Sequence, residues 1–219
     1  MRQKLSILLF LALMHSAALA QIIITTPYEF SAGLSSGITL SSVSFNPKVP
    51  RKNVQGFTFG VTGRMTMGEN VGLQAELNYV GQGWKEFYEA QPEYKYARKI
   101  NYLQFPFYTH IQFGSKTFKG FLNAGPQLGY AISESSSPNL SGIQPPFSTK
   151  QHDMPVEKNF EWGLSGGVGL EFRTGLGYFL VEGRYFYAFS DIYSTKRKDY
   201  FGKASSQVIT IKASYLIPF

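Results

Sequence analysis

The chain has 219 residues, of which 43% are hydrophobic, 16% aromatic and only 16% charged, with a formal net charge of +7. That length allows one domain with a full core. Cysteine is absent, which excludes disulfides, thiolate metal sites and a lipid-modified cysteine anchor. Helical heptads and charge runs are missing, while 19 Phe, 14 Tyr and 22 Gly make an all-β composition.

Residues 1–20 read as a secretory signal peptide. Arg2 and Lys4 give a positive start, Leu5 to Met14 an apolar run, and Ala18-Leu19-Ala20 a small-residue cleavage site. The mature domain is expected over 21–219, and removing Arg2 and Lys4 leaves it with a net charge of +5. No later run approaches the length of a spanning helix, so any membrane span must be built of strands.

The first strand is expected from about Tyr28 to Leu40, with Tyr28, Phe30, Ala32, Leu34, Ile38 and Leu40 on one face and Glu29, Ser31, Gly33 and Ser35 on the other. A polar loop through Asn46, Pro47, Lys48, Pro50, Arg51 and Lys52 follows. The second strand covers about Gln55 to Met67, with Phe57, Phe59 and Val61 opposing Thr58, Thr62 and Arg64. After the short turn Gly68-Glu69-Asn70, the third is the cleanest: Val71, Leu73, Ala75, Leu77 and Tyr79 alternate with Gly72, Gln74, Glu76 and Asn78. A charged loop is expected through Trp84, Glu86, Glu89 and Lys95.

The fourth strand runs from about Arg98 to Phe113, and Gly114-Ser115-Lys116 turns it into the fifth, about Phe118 to Ser133. Pro106 and Pro126 fall inside these two strands at nearly one height, so their seam is expected to be weak or bulged. The longest loop, Glu134 to Lys158, is rich in Ser, Pro and Gly. The sixth strand, Phe160 to Phe172, turns at Arg173 to Gly177 into the seventh, Tyr178 to Phe189. A basic loop with Lys196, Arg197, Lys198 and Lys203 precedes the eighth, Gln207 to Phe219.

Connections alternate long and short throughout. An eight-stranded antiparallel up-and-down transmembrane β-barrel requires this, with short turns on the periplasmic side and long loops outside. A secreted barrel with an apolar interior would carry Lys and Glu on its polar face. Here that face is mostly Gly, Ser, Thr, Asn and Gln, which suits the narrow lumen of an eight-stranded barrel. Its charges balance: Glu29, Glu76, Glu161, Glu171 and Glu182 against Arg64, Lys119, Arg173, Arg184 and Lys212. Buried charges must be paired, so these ten residues are expected to form a luminal charge network. Tyr28, Phe57, Trp84, Phe113, Phe118, Trp162, Phe172, Tyr178 and Phe219 sit near strand ends, as interfacial girdles would. In the long loops bases outnumber acids, and Lys48, Arg51, Lys52, Lys196, Arg197 and Lys198 make an outer-loop basic surface suited to anionic lipid head groups or an acidic partner.

The final strand, alternating through Tyr215 and Ile217 and stopping on Phe219, resembles the terminal strand of bacterial outer-membrane β-barrels. That resemblance implies that Tyr215, Ile217 and Phe219 act as a barrel-assembly signal read by the barrel-assembly machinery. Asn101-Tyr-Leu-Gln-Phe-Pro-Phe-Tyr108, Asn123-Ala-Gly-Pro-Gln-Leu-Gly-Tyr130 and Leu73-Gln-Ala-Glu-Leu-Asn-Tyr-Val-Gly-Gln-Gly83 are similar to the PorT-type outer-membrane β-barrel family of Bacteroidetes. The resemblance covers most of the mature chain. It implies an integral protein of the cell outer membrane with a structural or interaction role in the envelope, a link to protein secretion, and envelope or secretion-complex proteins as partners beside outer-membrane lipid.

Chemistry-bearing motifs are sparse. His110 falls on the luminal face, with no nucleophile at a supporting spacing. The scattered His and acids lack metal-ligand spacing. Gly163, Gly166, Gly167 and Gly169 lie inside a strand pattern with no helix after them, so no phosphate loop is expected. No catalytic, cofactor-binding or metal site is expected, nor nucleic acid as a partner. Two alternatives to the interaction barrel stay open: a small porin-like channel and an outer-membrane lipid-modifying enzyme.

Overall fold

The computed structural model describes residues 28–89, 91–137, 149–194 and 199–219. The expected signal peptide lies outside the described residues, as do Lys196, Arg197 and Lys198. The strands are β1 (Tyr28–Asn46), β2 (Arg51–Lys52), β3 (Val54–Met67), β4 (Val71–Glu86), β5 (Ala97–Gly114), β6 (Phe118–Ser137), β7 (Phe160–Thr174), β8 (Gly177–Ala188) and β9 (Lys203–Pro218). A four-residue helix, α1 (Lys150–Asp153), lies between β6 and β7.

Eight long antiparallel strands pair in chain order. β1 lies between β3 and β9, and the β4–β5 ladder follows the same order, so the sheet closes on itself. Two-residue β2 adds to the far end of β4 through Arg51 opposite Glu86 and Lys52 opposite Lys85. Closure leaves every long strand with two partners, as backbone polar groups in hydrocarbon require. The tight turns follow their sequence: Gly68 takes φ +64°, a left-handed conformation that costs glycine little.

Alternation sets the wall. Leu34 is 68% exposed and Val61, Leu77, Phe105 and Ile211 also point outward, while Ser35, Thr62, Glu76, Gln104 and Thr39 are buried inside. A period of two places one parity on each side of a sheet, so the polar parity fills the lumen.

Four strands run further than their sequence suggests. β1 continues from Leu40 to Asn46, β4 from Tyr79 to Glu86, β6 to Ser137, and β9 starts at Lys203. In these extensions the inward parity turns apolar. Val43, Phe45, Trp84, Ile100, Tyr102, Ala131 and Ala204 are buried together with Ile192, Tyr193 and Phe201. The barrel thus rises past its apolar belt into an outer section with a hydrophobic core of its own. Two expected girdle aromatics are corrected by this arrangement. Trp84 is 0% exposed, and Tyr178 is buried against Phe121, Leu180 and Leu216. Both belong to the inward parity of their strands. Tyr28, Phe57, Phe113, Phe118, Trp162, Phe172 and Phe219 do point outward.

The prolines interrupt pairing without a bulge. The β5–β6 ladder runs from Pro106 opposite Gln127 to Thr109 opposite Ala124 in one register and skips the residues between them. The β4–β5 ladder skips Glu76 and Leu77, opposite Pro106. The β5–β6 irregularity falls instead at Asn101 and Tyr102. Proline brings no N–H, so the missing rungs lie where a donor would be needed. Gly125 keeps this seam narrow: a β-carbon there would meet the Phe107 carbonyl oxygen at 2.1 Å.

Candidate functional site

Near the short turns, β3, β5 and β7 bring Arg64, His110 and Glu171 together. Arg64 Nη1 donates to Glu171 Oε2 at 2.6 Å and lies 3.2 Å from His110 Nε2. His110 Nδ1 is 2.8 Å from Asn123 Oδ1. Arg173 donates to Glu171 at 2.5 Å and to Gln112 at 3.0 Å, with Glu29 3.9 Å away. Tyr178 donates to Glu29 at 2.9 Å. Lys119 sits at the rim and donates to the Glu69 carbonyl at 3.1 Å.

A second network fills the centre. Arg184 on β8 reaches Glu76 on β4 through both terminal nitrogens, at 2.9 and 3.0 Å, and Glu182 at 2.6 Å. Lys212 on β9 donates to Glu76 at 2.8 Å. Gln74 and Asn78 add donors to the same carboxylate at 2.6 and 2.8 Å. The Arg184 guanidinium lies 4.5 Å from the centroid of Tyr108, and Tyr108 donates to Ser165 at 2.9 Å. Bidentate pairing and filled acceptor positions are what make buried ion pairs tolerable. A void among Thr58, Asn78, Gln104, Gln127, Arg184 and Lys212 measures about 20 Å³, room for about one water.

The ten charges of the expected luminal network therefore do not form one set of pairs. Eight of them, Glu29, Arg64, Glu76, Glu171, Arg173, Glu182, Arg184 and Lys212, join ion pairs with one another. Lys119 binds a backbone carbonyl instead of a carboxylate. Glu161 stands a layer above, accepts from Gln82 at 3.0 Å and Gln104 at 3.5 Å, and has no cation within 4 Å among the described residues. The spacing of β7 puts it where the lumen gives way to the apolar outer core, away from any base. Gln74, Asn78, Gln82, Gln104, Tyr108 and Asn123 were not expected as network members. Their inward parity was the signal available in the sequence.

The outer section closes over this lumen. Trp84 packs edge-on to Phe45 at 5.2 Å, and Tyr193 stacks on Phe201 at 5.7 Å. Arg98 is buried and ties the loops down through the Met154 carbonyl, the His152 carbonyl at 3.0 Å and Tyr193 Oη at 3.0 Å. Glu86 accepts from Gln151 at 2.9 Å and Tyr88 at 3.0 Å, and lies 2.9 Å from His152 Nε2. His152 stacks on Tyr96 at 3.6 Å. Burial, reinforced by the Glu86 carboxylate, holds the Tyr88 hydroxyl above its ordinary range and pushes Tyr94 up to about 12.

Of the expected basic surface, Lys48 and Lys52 are exposed and Arg51 is partly buried. Lys52 Nζ sits 3.3 Å over the Phe87 ring. Lys196, Arg197 and Lys198 lie outside the described residues. Glu86, expected in a loop, and Arg98, expected at the start of a strand, are both withdrawn into the outer section. Tyr215, Ile217 and Phe219 share the lipid face. Phe219 N donates to the Phe30 carbonyl at 2.9 Å, and its ring stacks on Phe30 at 6.5 Å.

The family model described as "Outer membrane protein beta-barrel domain" matches residues 19–194. The chain belongs to that family. It is an integral outer-membrane β-barrel protein, and the wall and lumen described above are those of a membrane-embedded barrel. No curated protein matches it. Among solved structures it is similar to Ail, the attachment invasion locus protein of Yersinia pestis, at 14% identity and a TM-score of 0.44, covering 86% of this chain and 99% of that one. OprG from Pseudomonas aeruginosa shares 11% identity at a TM-score of 0.46, over 87% and 95% of the two chains. Neisserial surface protein A shares 13% at 0.41, over 85% and 96%.

Proposed function

We propose that this protein is a closed, non-catalytic barrel that holds an interaction surface at the outer face of the outer membrane and serves a larger envelope complex. The observation that carries this reading is the filling of the lumen. Glu76, Glu182, Arg184 and Lys212 cross its centre, and the Trp84–Phe45–Tyr193 core stands above them. Such an interior favours a scaffold over a small channel, because an eight-stranded barrel has no width to spare. His110 is engaged by Arg64 and Asn123 rather than by a hydroxyl, which favours a structural role over lipid hydrolysis.

The PorT-type motifs at Asn101–Tyr108 and Asn123–Tyr130 favour a place among envelope proteins concerned with secretion. Lipid of the outer membrane and the barrel-assembly machinery, reading Tyr215, Ile217 and Phe219, complete the proposed partners. Two measurements test the reading. In planar bilayers the mature chain should show no steady open state, and a stable conductance would restore the channel alternative. Affinity purification from native envelopes should retain the same partners with wild-type protein and with His110→Ala. Lipid hydrolysis lost specifically in His110→Ala would replace the scaffold with an enzyme.

A further inference from the structure

Just above the apolar belt, the outward parity of β2, β4 and β5 carries lysine three times. Lys52 lies directly opposite Lys85 in the β2–β4 ladder. Lys85 is opposite Ala97, two residues from Lys99 on the same face of β5. All three side chains are exposed. Among the described residues none lies within 4 Å of a carboxylate, since the nearby Glu86 points inward to His152 and Gln151. Like charges directly across a ladder oppose pairing; the Phe87 ring 3.3 Å from Lys52 Nζ offers one of them a partner, and an anion from outside the chain would satisfy all three.

Its height and its surroundings indicate where that charge comes from. Lys99 is two residues beyond Asn101, which pairs with Gly81 beside the outward-facing Phe57. Two residues are about 7 Å along a strand, the step from the edge of the apolar belt to the head-group layer. Below Lys99, a cleft of about 170 Å³ has Gln55, Gly81, Asn101, Phe57 and Tyr79 in its walls. Tyr79 also borders a trough of about 700 Å³ that crosses the strands of the lipid face from Leu103 and Leu77 past Phe59 to Phe179. Its floor is shallow because Ser36 and Ala213 meet across the β1–β9 seam. Lysines, a small and largely apolar cleft edged by Gln55 and Asn101, and an apolar trough thus adjoin one another on the wall.

We propose that this wall holds a phosphorylated lipid of the outer leaflet. Its phosphate is bound by Lys52, Lys85 and Lys99, its polar head rests against Gln55 and Asn101 at the edge of the cleft, and an acyl chain lies in the trough. A free anion would use the lysines without the trough, and an acidic protein would not reach below the belt. The inference is independent of whether the lumen conducts.

The test uses the mature chain in phosphatidylcholine nanodiscs doped with bis-phosphorylated lipid A, with bound lipid counted by native mass spectrometry. Wild type should retain lipid A, and each lysine-to-glutamine change should weaken retention about fivefold, so that K52Q/K85Q/K99Q loses it almost entirely. Dephosphorylated lipid A should bind wild type as poorly. Ser36→Trp, which fills the trough and leaves the lysines intact, should also weaken binding, while Lys116→Gln, in the β5–β6 turn at the other end of the barrel, should not. Heat-dependent gel mobility checks that each variant is folded. Equal retention by wild type and the triple variant would overturn the proposal. Displacement by inorganic phosphate, or indifference to Ser36→Trp, would assign the lysines to a free anion and equally discard the lipid. Capture of an acidic envelope protein that excludes lipid A would do the same.

Discussion

The membrane section and the outer section of this barrel use one backbone pattern with opposite chemistry. In the membrane section Leu34, Val61 and Leu77 face out, and Thr62, Glu76 and Arg184 face in. Higher on the wall, Val43, Phe45, Trp84 and Ile100 of β1, β4 and β5 face in, and Lys85 and Lys99 of β4 and β5, with Lys52 of β2, face out. Parity is fixed by the pleat and does not change along a strand. What changes is the surrounding medium. In lipid there is no gain from sequestering apolar side chains, so the interior is mainly polar and held by hydrogen bonds and ion pairs, with small apolar clusters at Phe121, Leu180 and Leu216 and at Phe186 and Val208. In water the hydrophobic effect returns, and the interior becomes apolar. The inversion falls between Ser41 and Val43 on β1, between Gln82 and Trp84 on β4, and between Gln104 and Tyr102 on β5. Glu161, with neutral partners in Gln82, Gln104 and Ser206, marks the same level on β7.

If the two sections are held by different forces, the largest effects should separate them. Glu76→Ala leaves Arg184 and Lys212 buried with Glu182 as their remaining carboxylate, and removing one partner of a buried pair costs about 3–5 kcal/mol. That loss should appear as a lower urea midpoint for the whole barrel in lipid. Trp84→Ala removes a fully buried side chain, at about 3–5 kcal/mol if the site does not collapse. Here proteolysis of the loops around α1 should accelerate, while heat-resistant mobility of the barrel persists. A Trp84→Ala variant that unfolds as one unit with the barrel would merge the two sections.

A second, smaller contrast tests the direction of each face. Leu77→Arg in the lipid-facing band should cost about 2–4 kcal/mol. Thr210→Arg, on the luminal parity of β9, should cost less if the lumen can reorganise around a further charge. Lys85→Leu, on the outward face of the outer section, should leave the unfolding midpoint nearly unchanged. Equal penalties at Leu77 and Lys85 would show that the belt extends over the whole wall.

The sequence carried the membrane section clearly because its two faces differ in a single property. Period two, tight turns at Gly68 and Gly114 and alternating loop lengths were enough to place eight strands and their two faces. The outer section was harder to read. Pro47, Pro50, Lys52, Glu86 and Lys95 look like loop, and nothing local shows that Val43 and Trp84 meet. The information was partly present: Trp84 shares parity with Gln74, Glu76 and Asn78, and Tyr178 with Glu182 and Arg184. Reading them by parity instead of by position near strand ends places both inside. The partners of Glu76 could not be read this way. Arg184 and Lys212 are 108 and 136 residues away in the chain, and only closure of the barrel decides which bases cross to which acid.

The finest contrast lies within the membrane section, between the seam that carries Pro106 and Pro126 and the uninterrupted β7–β8 ladder. The β5–β6 ladder skips rungs beside Pro126, and the β4–β5 ladder skips Glu76 and Leu77 opposite Pro106. β7 and β8 pair without a gap from Gly163–Ala188 to Thr174–Gly177. A missing hydrogen bond removes about 1 kcal/mol of local protection, which is about a fivefold change in opening. Amides of Gln104, Phe105, Phe107 and Gly125 to Leu128 should therefore exchange faster in lipid than those of Leu164 to Val168 and Val181 to Arg184 at comparable depth. The amides of Ala75 to Leu77 should side with the fast group, because they border the second gap. Pro126→Val supplies the absent N–H at an outward position where Val fits a strand, and it should slow exchange at Phe107 and Tyr108 without changing the β7–β8 seam. Uniform protection across both seams would mean that the neighbouring rungs hold the prolines as firmly as a complete ladder, and the wall would then have no soft line for the sections above and below it to share.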